Sequence, residues 1–270
     1  MSAARLVSFP SGGRTLRGYL SVPDGTGPHP AVVWNHGSEQ YPGSFDELAG
    51  FYAGAGYVFF VPHRRGHGHS AGEYAFGTPP PGPRAQAVAA ITGLLEQALE
   101  DTLAAVEWLR RQSFVDAGRM AMSGVSHGGI HALLAAEAGA AMRGYVPFAP
   151  AATAWRGNPE LQDRLVRAVR TADAPILLVQ AENDYSLGPS EVLGSELARK
   201  GRPNGARVYP TYGHDAASGH GAFAWRGMDV WGDHVRAFLD EVGLRSAEVV
   251  GDPAELLGAV GGDQEVVLEP

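Results

Sequence analysis

The stretch Gly124-Val125-Ser126-His127-Gly128-Gly129 constrains this chain more than any other. It follows a short apolar run at 119–122 that reads as a strand, and it precedes an Ala- and Leu-rich segment at 130–138 that reads as a helix. A strand-to-helix turn this tight forces its central residue to positive φ, and only small residues two positions to either side avoid a collision. The turn therefore exposes the Ser126 hydroxyl. It also leaves the backbone N–H of His127, at the positive end of a helix dipole, available to an oxyanion.

A turn of this kind belongs at the rim of a sheet, and the rest of the chain supplies one. Residues 1–22 alternate apolar and polar around Gly12-Gly13 and predict a β-hairpin. Short apolar strands are expected at 31–34, 57–61, 119–122, 144–148, 176–180 and 206–209. Helices are expected between them at 44–55, up to about 111 (with Gly93 a candidate break), 130–138, 159–169, 189–200 and 230–242. Val88, Ile91, Leu95, Leu99, Val106 and Leu109 set the buried face of the long helix. This alternation predicts an α/β fold: a mostly parallel sheet of about eight strands with helices on both faces.

With 270 residues, 44% of them hydrophobic and 19% charged, the chain can bury one large core. The expected organisation is one domain over 1–245 and an acidic tail over 246–270, with a short helix near 253–260. A small lid insertion is expected at about 73–98, opened by the proline run at 79–83, which suits neither a helix nor a central strand. A second excursion is expected at 149–158; side chains of residues 75–98 and 149–156 would set acyl preference. Six acids follow Arg245 without a Lys or Arg, so the net charge of −8 leaves only −2 for the body, 23 acids against 21 bases. No basic patch favours nucleic acid, and no apolar run is long enough to span a membrane. The expected location is cytoplasmic.

Without cysteine, any nucleophile is oxygen or nitrogen. A serine hydroxyl is a poor nucleophile at neutral pH, so it needs an imidazole to take its proton and a carboxylate to hold that imidazole in one tautomer. The turn around Ser126 predicts both further along, in the order Ser, acid, His. Glu182 and Asp184 follow the strand at 176–180, and His214 and His220 follow the strand at 206–209. Asp184 lies further past its strand end, where it can turn back toward the His loop; Glu182 reads as solvated or ion-paired.

The segments Trp34-Asn-His-Gly-Ser, Arg64-Arg-Gly-His-Gly-His-Ser-Ala-Gly, Gly124-Val-Ser-His-Gly-Gly, Gln180-Ala-Glu-Asn-Asp and Ser218-Gly-His-Gly-Ala-Phe occur in this order. Together they resemble the α/β-hydrolase superfamily, and within it the dienelactone-hydrolase-like and prolyl-oligopeptidase-like serine hydrolases. The resemblance implies an α/β-hydrolase fold with Ser126 as nucleophile, Asp184 as orienting acid and His220 as base, with His214 the alternative base. It places the oxyanion hole at the N–H groups of His127 and Ser38, with Glu39 as the neighbour one register away. It further implies a serine esterase that cleaves carboxylic esters of small molecules through an acyl-enzyme, with no cofactor or metal. Dienelactone hydrolases proper use a cysteine nucleophile, so that activity does not carry over. A serine peptidase of small peptides and a non-catalytic small-molecule-binding homologue are the alternatives, and oligomeric state is open.

Several residues have plainer readings. His63, His67 and His69 invite a zinc site, but no Glu stands at helical spacing between two of them, and the glycines around them suit a loop anchored by Arg64 or Arg65. Trp34, Trp155, Trp225 and Tyr41 are candidates for a substrate pocket or for core. Asp101 reads as a structural partner of a loop, and His131 as part of a helix start.

Overall fold

The computed structural model describes residues 4–75 and 84–245. The proline run at 79–83, the tail and its expected helix, and the side chain of Val88 lie outside the described residues. The chain opens with the hairpin β1 (Arg5–Ser11) and β2 (Arg14–Ser21), paired antiparallel from Arg5 opposite Leu20 to Ser11 opposite Arg14. Gly12 and Gly13 take φ of 51° and 74°, the left-handed pair that a two-residue turn needs to follow strand twist.

The remaining strands are β3 (His29–Asn35), β4 (Val58–His63), β5 (Val115–Val125), β6 (Gly144–Phe148), β7 (Leu177–Ala181) and β8 (Gly205–Tyr209). The eight form one sheet in the order β1-β2-β4-β3-β5-β6-β7-β8. The β1/β2 and β2/β4 pairs are antiparallel and all others are parallel. β4 and β6 are buried at every position, as strands covered on both faces must be.

The helices are α1 (Asp46–Gly54), α2 (Arg84–Arg110), α3 (His127–Glu137), α4 (Pro159–Thr171), α5 (Gly188–Lys200), α6 (Phe223–Arg226) and α7 (Met228–Glu241). On one face of the sheet Leu99, Val106, Leu109, Leu133, Leu165 and Leu197 form a core beneath α2 to α5. On the other, Leu48, Tyr52, Trp231, Val235 and Phe238 pack α1 and α7 against the strands. α4 shows why its sequence forms a helix. Asn158 accepts the Leu161 N–H at 3.0 Å, Pro159 takes the first helical position, and Leu161, Leu165, Ala168 and Val169 make one buried stripe.

Three expectations are corrected. Gly93 does not break α2, since the helix continues through it to Arg110; packing outweighs the propensity cost of about 1 kcal/mol. β5 begins at Val115 rather than 119. The loop expected after β8 coils into a π-helical turn at Ser218–Ala222 that runs into α6. Of the two readings open for Trp34 and Trp155, core is the one the packing supports: Trp34 lies between Phe45 and Phe148, and Trp155 packs in the α4–α5 core. Of the 73–98 stretch, residues 84–98 are the first part of α2.

β3 is the point where sheet order reverses. β4 lies to one side of it and β5 to the other, so the carboxyl ends of β3 and β5 adjoin, with Asn35 opposite Gly124. Crevices of α/β sheets form at such a switch. α3 meets β3 through Gly128, where a Cβ would stand 1.9 Å from the Asn35 carbonyl oxygen and 2.5 Å from that of His36. Backbone cannot yield as a side-chain tip can, so Gly128→Ala is expected to destabilise the protein by about 1–3 kcal/mol. Urea unfolding checks this; an unchanged midpoint would show that α3 and β3 are not so close in solution.

Candidate active site

At the end of β5, Ser126 holds φ 56° and ψ −114°, the strained conformation that the Gly-x-Ser-x-Gly pattern predicts. Neighbouring backbone over-determines it. The Ser126 N–H donates to the Phe148 carbonyl at 2.9 Å, and the Ser126 carbonyl accepts the Ile130 N–H at 3.0 Å. A Cβ at Gly124 would meet Asn35, and one at Gly129 would meet the Phe148 carbonyl oxygen, at 2.6 and 2.8 Å. Ser126 is partly open to solvent. His127 is the first residue of α3, so its N–H stands at the positive end of that helix's dipole. The backbone past β6 is strained as well, with Ala149 at φ 47° and Ala151 at φ 60°.

The acid and base candidates come from the next two strand ends. Asp184, just past β7, has a side chain with no exposed surface, and its Oδ1 accepts the Nδ1–H of His220 at 2.8 Å. The same Oδ1 accepts the Tyr185 N–H at 2.6 Å, and Oδ2 accepts from Gln180 Nε2 at 2.8 Å. Binding through Nδ1 fixes His220 as the tautomer whose Nε2 carries a lone pair. His214 and Glu182 are both exposed. The structure thus pairs Asp184 with His220 and sets neither His214 nor Glu182 in that pair.

The loop that presents His220 is clamped by Asn183, which the sequence reading did not single out. Its Nδ2 donates to the carbonyls of Tyr212 and Asp215 at 2.9 and 2.7 Å, and its Oδ1 accepts the Tyr212 N–H at 3.0 Å. Asp215 Oδ1 in turn accepts the Ser218 N–H at 2.7 Å, starting the helical turn that carries His220. Nothing local in the sequence reports these contacts, because they span about thirty residues. Gln180 had a weak signal: a lone amide closing an apolar strand must find partners when buried.

The loop after β3 carries Ser38, which is exposed, and Glu39, which is half-buried. Buried Arg64 holds this loop from behind, with Nη1 donating to the His36 carbonyl at 3.0 Å and Nη2 to the Gly37 carbonyl at 2.5 Å. The Tyr74 hydroxyl donates to the Ser38 carbonyl at 2.6 Å, and Glu39 Oε1 accepts the Gly37 N–H at 3.2 Å. Arg65 anchors the next turn on Asp101, which also accepts from Ser11 Oγ. Asp101 is therefore the loop partner that the sequence suggests.

The histidines near Arg64 are structural parts of these loops. His67 Nδ1 faces the Glu39 carbonyl at 2.8 Å, His69 Nε2 meets the Tyr19 hydroxyl, and His131 Nδ1 faces the His127 carbonyl. Among the described residues no three His, Asp or Glu side chains are grouped so as to hold a metal ion. Of the aromatic pocket candidates that are not core, Trp225 packs against Gly221 and Phe45, and Tyr41 is exposed. Among the described residues no helix is long and apolar enough to cross a membrane.

Residues 16–199 match the sequence model of the X-Pro dipeptidyl-peptidase (S15) family. The chain belongs to that family. Its fold is shared with esterase 2 from Thermogutta terrifontis, at a TM-score of 0.65 and 17% identity over 92% of this chain and 98% of that one. It is also shared with the ferulic acid complex of Est1E from Butyrivibrio proteoclasticus, at a TM-score of 0.63 and 17% identity over 87% and 99%. No curated protein sequence matches the chain. This member of the S15 family is an eight-stranded α/β-hydrolase-type domain.

Burial and the Arg64 charge have a measurable consequence. Desolvation, reinforced by Arg64, holds His63 and His67 at about 4 and His131 at about 3; His36 and the ring of His127 lie well below their usual value. Unfolded imidazoles bind protons below about 6.5, whereas these stay neutral while folded. Unfolding therefore takes up protons, and stability is full above pH 6.5 and lost as pH falls toward 4, by about 1.4 kcal/mol per pH unit for each proton taken up. Glu39, raised by burial, works in the opposite direction but is one group against five. The urea midpoint should fall between pH 7 and pH 5, and less steeply in His67→Asn; identical slopes would show that His67 titrates normally in the folded protein.

Proposed function

We propose that the protein is a serine hydrolase that cleaves carboxylic esters of small molecules through an acyl-enzyme. The observation that carries this reading is the buried Asp184–His220 hydrogen bond, taken with the strained, partly open Ser126 at the head of α3. In the proposed reaction Ser126 Oγ attacks the ester carbonyl carbon while His220 Nε2 takes its proton. Asp184 stabilises the resulting imidazolium, and the N–H groups of His127 and Ser38 hold the tetrahedral oxyanion. The C–O bond to the alcohol breaks, and His220 returns the proton to the leaving oxygen. Water then attacks the acyl-enzyme with His220 again as base, which frees the acid and restores Ser126.

Likeness of fold to two esterases of similar extent supports an ester as substrate. The S15 match favours a second reading, hydrolysis of small proline-containing peptides by the same residues. An amide demands more of the base, since its nitrogen must be protonated before it leaves, so esters are the easier substrate for either assignment. The proposal places the enzyme in the cytoplasm and requires no cofactor.

Ser126→Ala is expected to lower kcat on a short p-nitrophenyl ester by at least about 10⁴-fold and to abolish labelling by a fluorophosphonate, with folding retained. Undiminished turnover would remove Ser126 from the mechanism. His220→Ala should match that loss while His214→Ala stays active, and the reverse pattern would make His214 the base. Turnover of the ester should exceed that of Gly-Pro-p-nitroanilide; the opposite order would make the protein a peptidase.

A further inference from the structure

Gln180 is the last but one residue of β7 and is fully buried, yet the reaction above gives it no part. Its amide makes three hydrogen bonds. Nε2 donates to Asp184 Oδ2 at 2.8 Å and to the Ser186 carbonyl at 2.7 Å, and Oε1 accepts the Ser190 hydroxyl at 2.6 Å. The partners fix which way the amide faces: reversed, its oxygen would confront a carboxylate and a carbonyl, neither of which can donate.

A carboxylate can rotate about its Cβ–Cγ bond, and Asp184 helps His220 only while Oδ1 faces Nδ1. Two backbone-fixed groups decide that rotation. The Tyr185 N–H holds Oδ1, and Gln180, itself seated on β7 between two neighbouring strands and on Ser190 at the start of α5, holds Oδ2. Without the amide, Oδ2 would be buried with an unmet acceptor, and the carboxylate would gain by turning toward any other donor. We propose that Gln180, locked by Ser190, is a positioning residue that sets the Asp184 carboxylate and through it the His220 imidazole.

This inference rests on the Ser126–His220–Asp184 reading, and the experiment separates the two. Gln180→Met keeps the volume and removes all three hydrogen bonds; kcat on the p-nitrophenyl ester should fall by about ten- to a hundred-fold with KM unchanged, as expected for a small misplacement of reacting groups. Gln180→Glu is nearly the same shape, but it can donate to Asp184 only while protonated. Once ionised, it sets a second negative charge against Asp184. Its kcat/KM should therefore approach that of the unaltered protein at low pH and fall at higher pH, which turns a profile with an acid limb alone into a bell. A role confined to stability would lower the urea midpoint without creating this alkaline limb.

Asp184→Asn serves as the reference. If it keeps full turnover, the triad reading fails and this inference falls with it. If Asp184→Asn is inactive while Gln180→Glu keeps the unaltered profile, the triad stands and the role of Gln180 is overturned. Should Gln180→Met not fold, Ser190→Ala replaces it: the lost donor to Oε1 should reduce kcat in the same sense but less, and unchanged kcat there together with an unaltered Gln180→Glu profile would also overturn the proposal.

Discussion

The close approach of α3 to β3 and β6 is the constraint on which the rest of the site depends. Gly124, Gly128 and Gly129 let backbone meet backbone around Ser126, and that contact holds the serine at a φ that costs energy anywhere else. Because β3 is the strand at which sheet order reverses, the same contact brings the Ser38 loop beside the Ser126 turn. One packing decision thus sets the partly open Ser126 turn and the loop after β3 side by side at the carboxyl rim of the sheet.

Behind this rim the protein uses a buried cation as a frame. Arg64 is 1% exposed, and its guanidinium bonds to backbone carbonyls of the Ser38 loop. A buried charge is tolerated only when its desolvation is offset by hydrogen bonds and opposite charge; here carbonyls provide the first, and Glu39 and Asp101 provide the second at longer range. Burial, reinforced by the Arg64 charge, also keeps nearby imidazoles neutral. Five of them, from the β3 loop, the 63–67 segment and α3, lie below their ordinary pKa, so acid sensitivity is built into the same packing that fixes the loop.

What the sequence made legible follows from the range of each interaction. The Ser126 turn was readable because glycine spacing and the flanking periodicities are local, and the strands at 144–148 and 206–209 lie within a residue of β6 and β8 because their apolar runs end at turn residues. The interior assignment of Trp34 and Trp155 was not readable, since an aromatic near a strand end looks the same whether it lines a pocket or fills a core. Gly93 misled for the converse reason: its low helix propensity is visible locally, whereas the α2 contacts that override it are not.

The Asp184–His220 pair lies at the limit of such reading. His214 and His220 are six residues apart in one segment, and each has a family-like setting, so spacing alone leaves both open. What separates them is tertiary. Asn183 ties the segment to the β7 end at Tyr212 and Asp215, and Asp215 caps the turn at Ser218. The chain after Asp215 is thereby wound into a helical turn, which carries His220 inward to Asp184 and leaves His214 in solvent. The residue beside Asp184 thus selects the histidine that Asp184 meets, and a single dipeptide, Asn183-Asp184, both places the loop and receives its imidazole.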